Sequence, residues 1–310
     1  MQLDRKIKII GLLICFLTSG CGALKTPPTV IMTVPAATAT LISSSPTPGS
    51  TSTPTVEPTM TLVPALPAKE AEIKLTEMLS NNGNCRLPCF WGFTPGKTKI
   101  GTVLSSGQLY HALFNPTGGW AELDIIRGNL TLVTSIVIGE NIHASSNDIL
   151  RLLTVRFLVY RGQNDGTSFV YDNPSYAQYF QYYTLPYVLS TYGKPENVYI
   201  HYEYEGDVRE YYVILDYTKS GWVASFTMQL YQGSNASEDV WEGCPSEAFT
   251  TLVLWSPGDT DMAQKYGYAY GPGRLISIEK ANSLTLDEFY QLYKDPAYTK
   301  CLQTPKGIQP

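Results

Sequence analysis

Residues 198–230 read VYIHYEYEGDVREYYVILDYTKSGWVASFTMQL, and the period of this stretch decides the fold class. Val198, Ile200, Tyr202 and Tyr204 alternate with Tyr199, His201, Glu203 and Glu205. Successive side chains of a strand point to opposite faces, so the spacing predicts a half-buried strand with one apolar and one polar face. After a turn at Gly206 the pattern returns in Tyr211, Val213, Leu215 and Tyr217. After Lys219, Ser220 and Gly221 it returns again in Trp222, Ala224, Phe226, Met228 and Leu230. Three such runs joined by short turns are an antiparallel meander, and Thr251 to Trp255 supplies a fourth strand.

Helices flank the meander. Thr184 is placed to cap a helix reaching about Tyr192, with Pro186 tolerated in the first turn and Gly193 ending it. Thr285 and Glu288 have the spacing of a capping box, with Leu284 and Phe289 as its hydrophobic staple. The two segments match at Thr184 and Thr285, Leu185 and Leu286, Tyr192 and Tyr293, Pro195 and Pro296. A reused helix motif and the common habits of capped helices both account for this.

The first half reads as helices with a small antiparallel sheet. Ala71, Ile73, Leu75, Met78 and Leu79 mark a helix over Lys69 to Ser80. Thr98 is a candidate N-cap for a second, through Ile100, Val103 and Leu104. Trp120 to Ile126 and Leu130 to Ile138 form a hairpin across Gly128 and Asn129. Ser146 reads as the cap of a helix through Ile149, Leu150 and Leu153, followed by an alternating run of Val155, Phe157 and Val159. The class is α+β: antiparallel sheet with helices packed on one face, divided into regions 69–170 and 171–305, the second carrying a four-stranded meander and a C-terminal helix.

The folded part opens on NCRLPCFWGFTPGKT, residues 84–98. Gly96, Lys97 and Thr98 imitate the end of a phosphate-binding loop. That loop needs a glycine where Trp91 stands, and a strand leading in, so no nucleotide site is expected. Cys85 and Cys89 have a spacing that zinc sites use, but a structural site needs four ligands. The other cysteines of the folded region, Cys244 and Cys301, are isolated, and the chain holds 3 histidines, namely His111, His143 and His201. No metal or other cofactor is expected. An exported chain oxidises its thiols, and four cysteines allow three pairings. A bend at Pro88 favours Cys85 with Cys89, which leaves Cys244 with Cys301 to fasten the tail.

The block resembles an uncharacterised group of bacterial lipoproteins. It shares with them Cys85, Leu87, Pro88, Cys89, Phe90, Trp91, Gly92, Pro95, Gly96, Lys97 and Thr98. More weakly it shares the pattern from Thr285 to Tyr290, with Cys301 near the end. The resemblance implies no activity.

The N-terminus agrees with that resemblance. Arg5, Lys6 and Lys8 precede an apolar run, Ile9 to Leu17, too short to span a bilayer. Residues 1–21 therefore read as an export signal, ending in a Ser19-Gly20-Cys21 junction that resembles a lipobox. Thr18 stands where an aliphatic residue is usual, and a plain secretory signal cut nearby is the alternative. Cys21 would be the lipidated residue. Residues 22–68 are dominated by Thr, Pro and Ser, with Lys25 and Glu57 the charged residues. Such a segment has little to bury and stays disordered, a stalk reaching about 40 Å as a coil. These features place the domain on the extracytoplasmic face of the cell membrane, lipid-anchored or, alternatively, secreted.

The net charge of −5 gives no basic footprint for nucleic acid. No G-x-S-x-G elbow and no H-E-x-x-H motif occurs, and no catalytic residue is assigned. Glu203 and Glu205 share a strand face with His201, which keeps a carboxylate-pair glycosidase in view. The chain's 22 tyrosines are the compositional oddity. Aromatics with polar tips serve ligand surfaces, and they also suit strands. Tyr199, His201, Glu203, Trp91 and Tyr179 are the candidate ligand surface. The reading is a non-catalytic envelope module binding a protein or glycan, with a surface polysaccharide or cell-wall hydrolase as the alternative.

Overall fold

A computed structural model describes residues 64–111, 113–115, 120–127, 130–138, 145–161, 168–169, 178–205, 208–229, 231–232, 240–245, 248–266 and 274–308. The signal, nearly all of the stalk, the turns at Gly128-Asn129 and Gly206, and His143 lie outside them. The first region holds α1 (Ala68–Asn81), α2 (Ile100–Leu109), β1 (Leu113–Asn115), β2 (Trp120–Arg127), β3 (Leu130–Ile138), β4 (Leu152–Arg161) and β5 (Ser168–Phe169). The second holds α3 (Leu185–Tyr192), β6 (Asn197–Glu205), β7 (Val208–Tyr217), β8 (Trp222–Gln229), β9 (Tyr231–Gln232), β10 (Val240–Gly243) and β11 (Phe249–Trp255). It continues through α4 (Thr260–Tyr266), β12 (Ile276–Ser277), α5 (Ile278–Asn282), α6 (Leu286–Tyr293) and β13 (Leu302–Pro305).

The α+β reading holds, and the meander forms as its period requires. In β7, Tyr211, Val213, Leu215 and Tyr217 all face the main core. Register matches the alternation, with Val213 opposite Ile200 on β6 and Phe226 on β8. The meander does not stand alone. The fourth strand, β11, lies between β8 and β4, so one sheet runs β1-β2-β3-β4-β11-β8-β7-β6-β12, with β5 paired to β4. Neighbouring strands pair antiparallel throughout it, and it spans both sequence regions. Gly221 makes the β7–β8 return possible. Its φ is +84°, and a Cβ there would sit 2.6 Å from the Trp255 carbonyl oxygen.

The front face of the sheet carries the large core. Phe157 of β4 stacks on Tyr183 with centroids 4.0 Å apart, and lies against Phe180 and Phe90. All four are buried. Truncating such a ring costs about 3–5 kcal/mol. A second sheet, β13-β10-β9, also lies against this face. A Cβ on Gly243 of β10 would meet the Tyr211 ring at 2.5 Å, so glycine permits the close crossing. On the back face, Met262 of α4 packs with Leu152, Val223, Val253 and Trp255.

Two sequence expectations fail locally. Residues 145–148 form a turn in which Asp148 Oδ2 accepts from the Ser145 N–H at 2.7 Å, in place of a helix from Ser146. Ile149 bridges to Lys99, and Leu153 enters β4. The apolar spacing fitted a helix, but pairing with β3 and β11 on either side satisfied the backbone as a strand. Nor does Thr98 cap α2; Lys99 is the N-cap residue, and Thr98 Oγ1 instead accepts from the Thr94 N–H at 2.8 Å.

Candidate binding cleft

The five residues expected to share a ligand surface are divided between the two faces. Tyr199, His201 and Glu203 lie together on the back face of β6. His201 is not on a solvated face, as its alternation had predicted. It is 6% exposed, with Nδ1 3.1 Å from the Arg274 carbonyl and Nε2 3.3 Å from Glu203 Oε1. The cause is the segment leading into β12, whose Leu275 packs on Tyr212 and Ile214, with Tyr199 against them. Glu210 stands opposite Glu203 in register and accepts from the Tyr212 hydroxyl. These carboxylates are engaged within the sheet surface. Trp91 and Tyr179 belong to the front face. Trp91 is 8% exposed and its ring stacks on Phe90 at 4.6 Å, while Tyr179 is partly buried against the same core.

Asn82 organises the block around Trp91. Buried and in the left-handed region at φ +54°, it donates from Nδ2 to the carbonyls of Cys85 (2.8 Å) and Cys89 (2.9 Å). Its Oδ1 accepts from the Trp91 N–H (3.4 Å) and the Tyr183 hydroxyl (3.2 Å). Both expected disulfides are present, Cys85–Cys89 and Cys244–Cys301. The Gly96, Lys97 and Thr98 amides donate to the carbonyls of Leu150, Thr94 and Thr94, so they face protein rather than a phosphate.

The cleft itself lies between α3 and α6, and has a volume of about 410 Å³. One wall comes from Gln181 and the first turns of α3: Thr184, Leu185, Pro186, Tyr187 and Ser190. Facing it are Tyr293 and Lys294 at the end of α6, then Pro296, Tyr298 and Thr299, with Pro245 and Ala248 at one end. The matched helix pattern thus contributes Thr184 and Leu185 from one copy and Tyr293 and Pro296 from the other. The capping box at Thr285 and Glu288 sets where α6 begins, and so where its last turn delivers Tyr293. Tyr298 meets the Tyr293 ring edge-on at 5.0 Å, and Tyr187 packs at 4.5 Å on Tyr182.

The lining is chemically quiet. Burial raises the Tyr293 hydroxyl above its ordinary range, and burial also raises that of Tyr187. Beside the cleft, burial and the hydrogen bond with Tyr192 push Tyr182 up to about 12. These phenols stay protonated as neutral hydrogen-bonding groups. The Thr184 and Ser190 hydroxyls donate to Gln181 and Tyr187 carbonyls. Among the described residues the lining includes no carboxylate or imidazole that could activate them as nucleophiles. Lys294 is the charged residue among the described residues of the lining, its Nζ 4.9 Å from the centre of the Tyr290 ring. Sequence reasoning singled out the helices but not the cleft, because a groove is made by the meeting of segments about a hundred residues apart.

No known protein family, curated protein or solved structure matches the chain. The two disulfides indicate folding in an oxidising, extracytoplasmic setting. No helix among the described residues is long and apolar enough to cross a membrane.

Proposed function

We propose that this chain is a lipid-anchored, non-catalytic binding module of the cell envelope, and that the α3–α6 cleft takes an extended peptide segment of a partner protein. The cleft lining carries the reading. Tyr187, Tyr293 and Tyr298, with Pro186, Pro245 and Pro296, offer rigid apolar area that loses little conformational freedom on binding, with hydroxyls to meet a peptide backbone. Lys294 suits an acidic side chain or a terminal carboxylate. Sugar sites lean on planar carboxylate and amide groups, of which Gln181 alone is in this lining, so peptide is favoured over glycan. The hydrolase alternative needs two carboxylates flanking a substrate groove, and the described residues of the lining include none. The anchor rests on the signal-like N-terminus and Cys21, with residues 22–68 as the stalk.

Photo-crosslinkers placed at Tyr187 and at Thr299 in cells should each give the same discrete protein adduct, and one placed at the exposed Ile73 of α1 should not. Adducts of equal pattern from all three sites, or none from the cleft, would refute the cleft assignment. The anchor is tested separately by fractionating a Cys21→Ser strain, whose protein should leave the membrane fraction.

A further inference from the structure

The two disulfides sit in different settings. In Cys85–Cys89 both residues are partly exposed, with the exposed Arg86 between them. The Gly92 N–H points at Cys85 Sγ from 3.4 Å, and the Asn82 carbonyl oxygen, 3.3 Å from the same sulfur, is placed to accept from the Cys85 thiol once it is reduced and protonated. Donors aimed at a sulfur stabilise its thiolate, and a disulfide opens most readily when the departing sulfur leaves as a stabilised thiolate. At Cys244–Cys301, Cys244 is buried, and a carboxylate oxygen of Glu242 lies within 4.8 Å of both sulfurs. A negative charge there opposes both an incoming thiolate and a departing one.

We propose that Cys85–Cys89 is a thiol–disulfide exchange site for an external dithiol, small or carried on a protein, with Cys85 as the leaving sulfur. One thiolate of the dithiol attacks Cys89 Sγ. The Cys85–Cys89 bond breaks, a mixed disulfide forms at Cys89, and Cys85 departs as a thiolate that takes up a proton. The second thiolate of the dithiol then attacks its own sulfur in the mixed disulfide and releases Cys89, which is protonated in turn. Two electrons and two protons pass to the cysteine pair, and the dithiol becomes a disulfide. The loop keeps its shape through this cycle, because Asn82 holds the carbonyls of both cysteines and Phe90 and Phe93 exchange backbone hydrogen bonds.

The test equilibrates the intact folded protein with graded ratios of reduced to oxidised dithiothreitol, quenches with acid, alkylates, and weighs the two cysteine pairs by mass spectrometry. Cys85–Cys89 should open at a ratio about tenfold lower than Cys244–Cys301, with the near-UV circular dichroism unchanged. Opening of both pairs at one ratio, or of the first pair only with loss of the near-UV signal, refutes the site. Brief iodoacetamide trapping of the reduced pair across pH should label Cys85 at lower pH than Cys89, and equal profiles would remove Cys85 from its role. A Glu242→Gln substitution should bring the reduction ratio of Cys244–Cys301 closer to that of the first pair, and an unmoved ratio would leave the charge argument without support.

Discussion

The block at residues 82–98 and the C-terminal strap are each closed by a disulfide, yet they are held by different means. In the block the cysteines are 4 residues apart, and the local shape is already specified by one buried asparagine with four hydrogen bonds. In the strap the cysteines are 57 residues apart, and the chain between them runs through β11, α4, β12, α5 and α6 before it returns. There the non-covalent ties are the β10–β13 ladder, from Val240 opposite Pro305 to Gly243 opposite Leu302, and a set of side-chain bonds. Tyr211 and Thr304 share a hydroxyl hydrogen bond at 2.6 Å, Asn282 Nδ2 donates to the Gln303 carbonyl at 2.6 Å, and the Tyr202 hydroxyl donates to Ile308. A covalent bond matters most where the chain it closes is long, because it removes more freedom from the unfolded state.

The largest effect should therefore come from the strap. Cys301→Ser is expected to destabilise by about 4 kcal/mol on the loop-entropy relation, read as a fall in the urea midpoint under non-reducing conditions. Next comes Asn82→Ala. It leaves the Trp91 N–H, the Tyr183 hydroxyl and two carbonyls without their partner, and puts alanine at a positive φ, for a loss of about 3 kcal/mol. Cys89→Ser should cost less than either, at most about 2 kcal/mol for so short a loop. If Cys89→Ser proved more damaging than Asn82→Ala, the block would depend on its disulfide after all, and the contrast would fail.

The smallest effect concerns the start of α6 and reads as a pH slope. Thr285 donates its N–H at 2.8 Å and its hydroxyl at 2.7 Å to Glu288 Oε2, and these bonds lower the Glu288 carboxyl below its ordinary value of 4.5. The folded state then binds that proton less readily than the unfolded chain. The resulting stability is present above the unfolded value and is lost as pH falls through the lower, folded one. Thr285→Ala should accordingly flatten the acid limb of the thermal midpoint between roughly pH 5 and pH 3, and a limb as steep as that of the wild type would show that the capping box contributes nothing.

Features carried by short-range patterns are legible in the residues themselves. The alternation in residues 198–230 forms β6, β7 and β8, the capping box at Thr285 closes with both of its bonds, and Gly193 ends α3 in the left-handed half of φ space. The disulfide pairing follows from combining export with a local bend. Patterns with two physical solutions mislead. The spacing of Ile149, Leu150 and Leu153 suits a helix turn or the approach to a strand, and the free edges of β3 and β11 decide for the strand. The alternation around His201 assigns it to solvent, but a segment 73 residues later covers it.

The sequence by itself determined the α+β class, the meander, the capping box of α6, the two disulfides and the expectation of a stalked, exported domain, because each rests on residues close together or on composition. Only the tertiary structure decided that β11 joins both regions into one sheet, that Asn82 is the hub of the cysteine block, and that α3 and α6 enclose a cleft lined by tyrosine and proline. Those features arise where distant segments meet, and which distant surfaces meet is settled by the burial and hydrogen bonding of the whole chain at once.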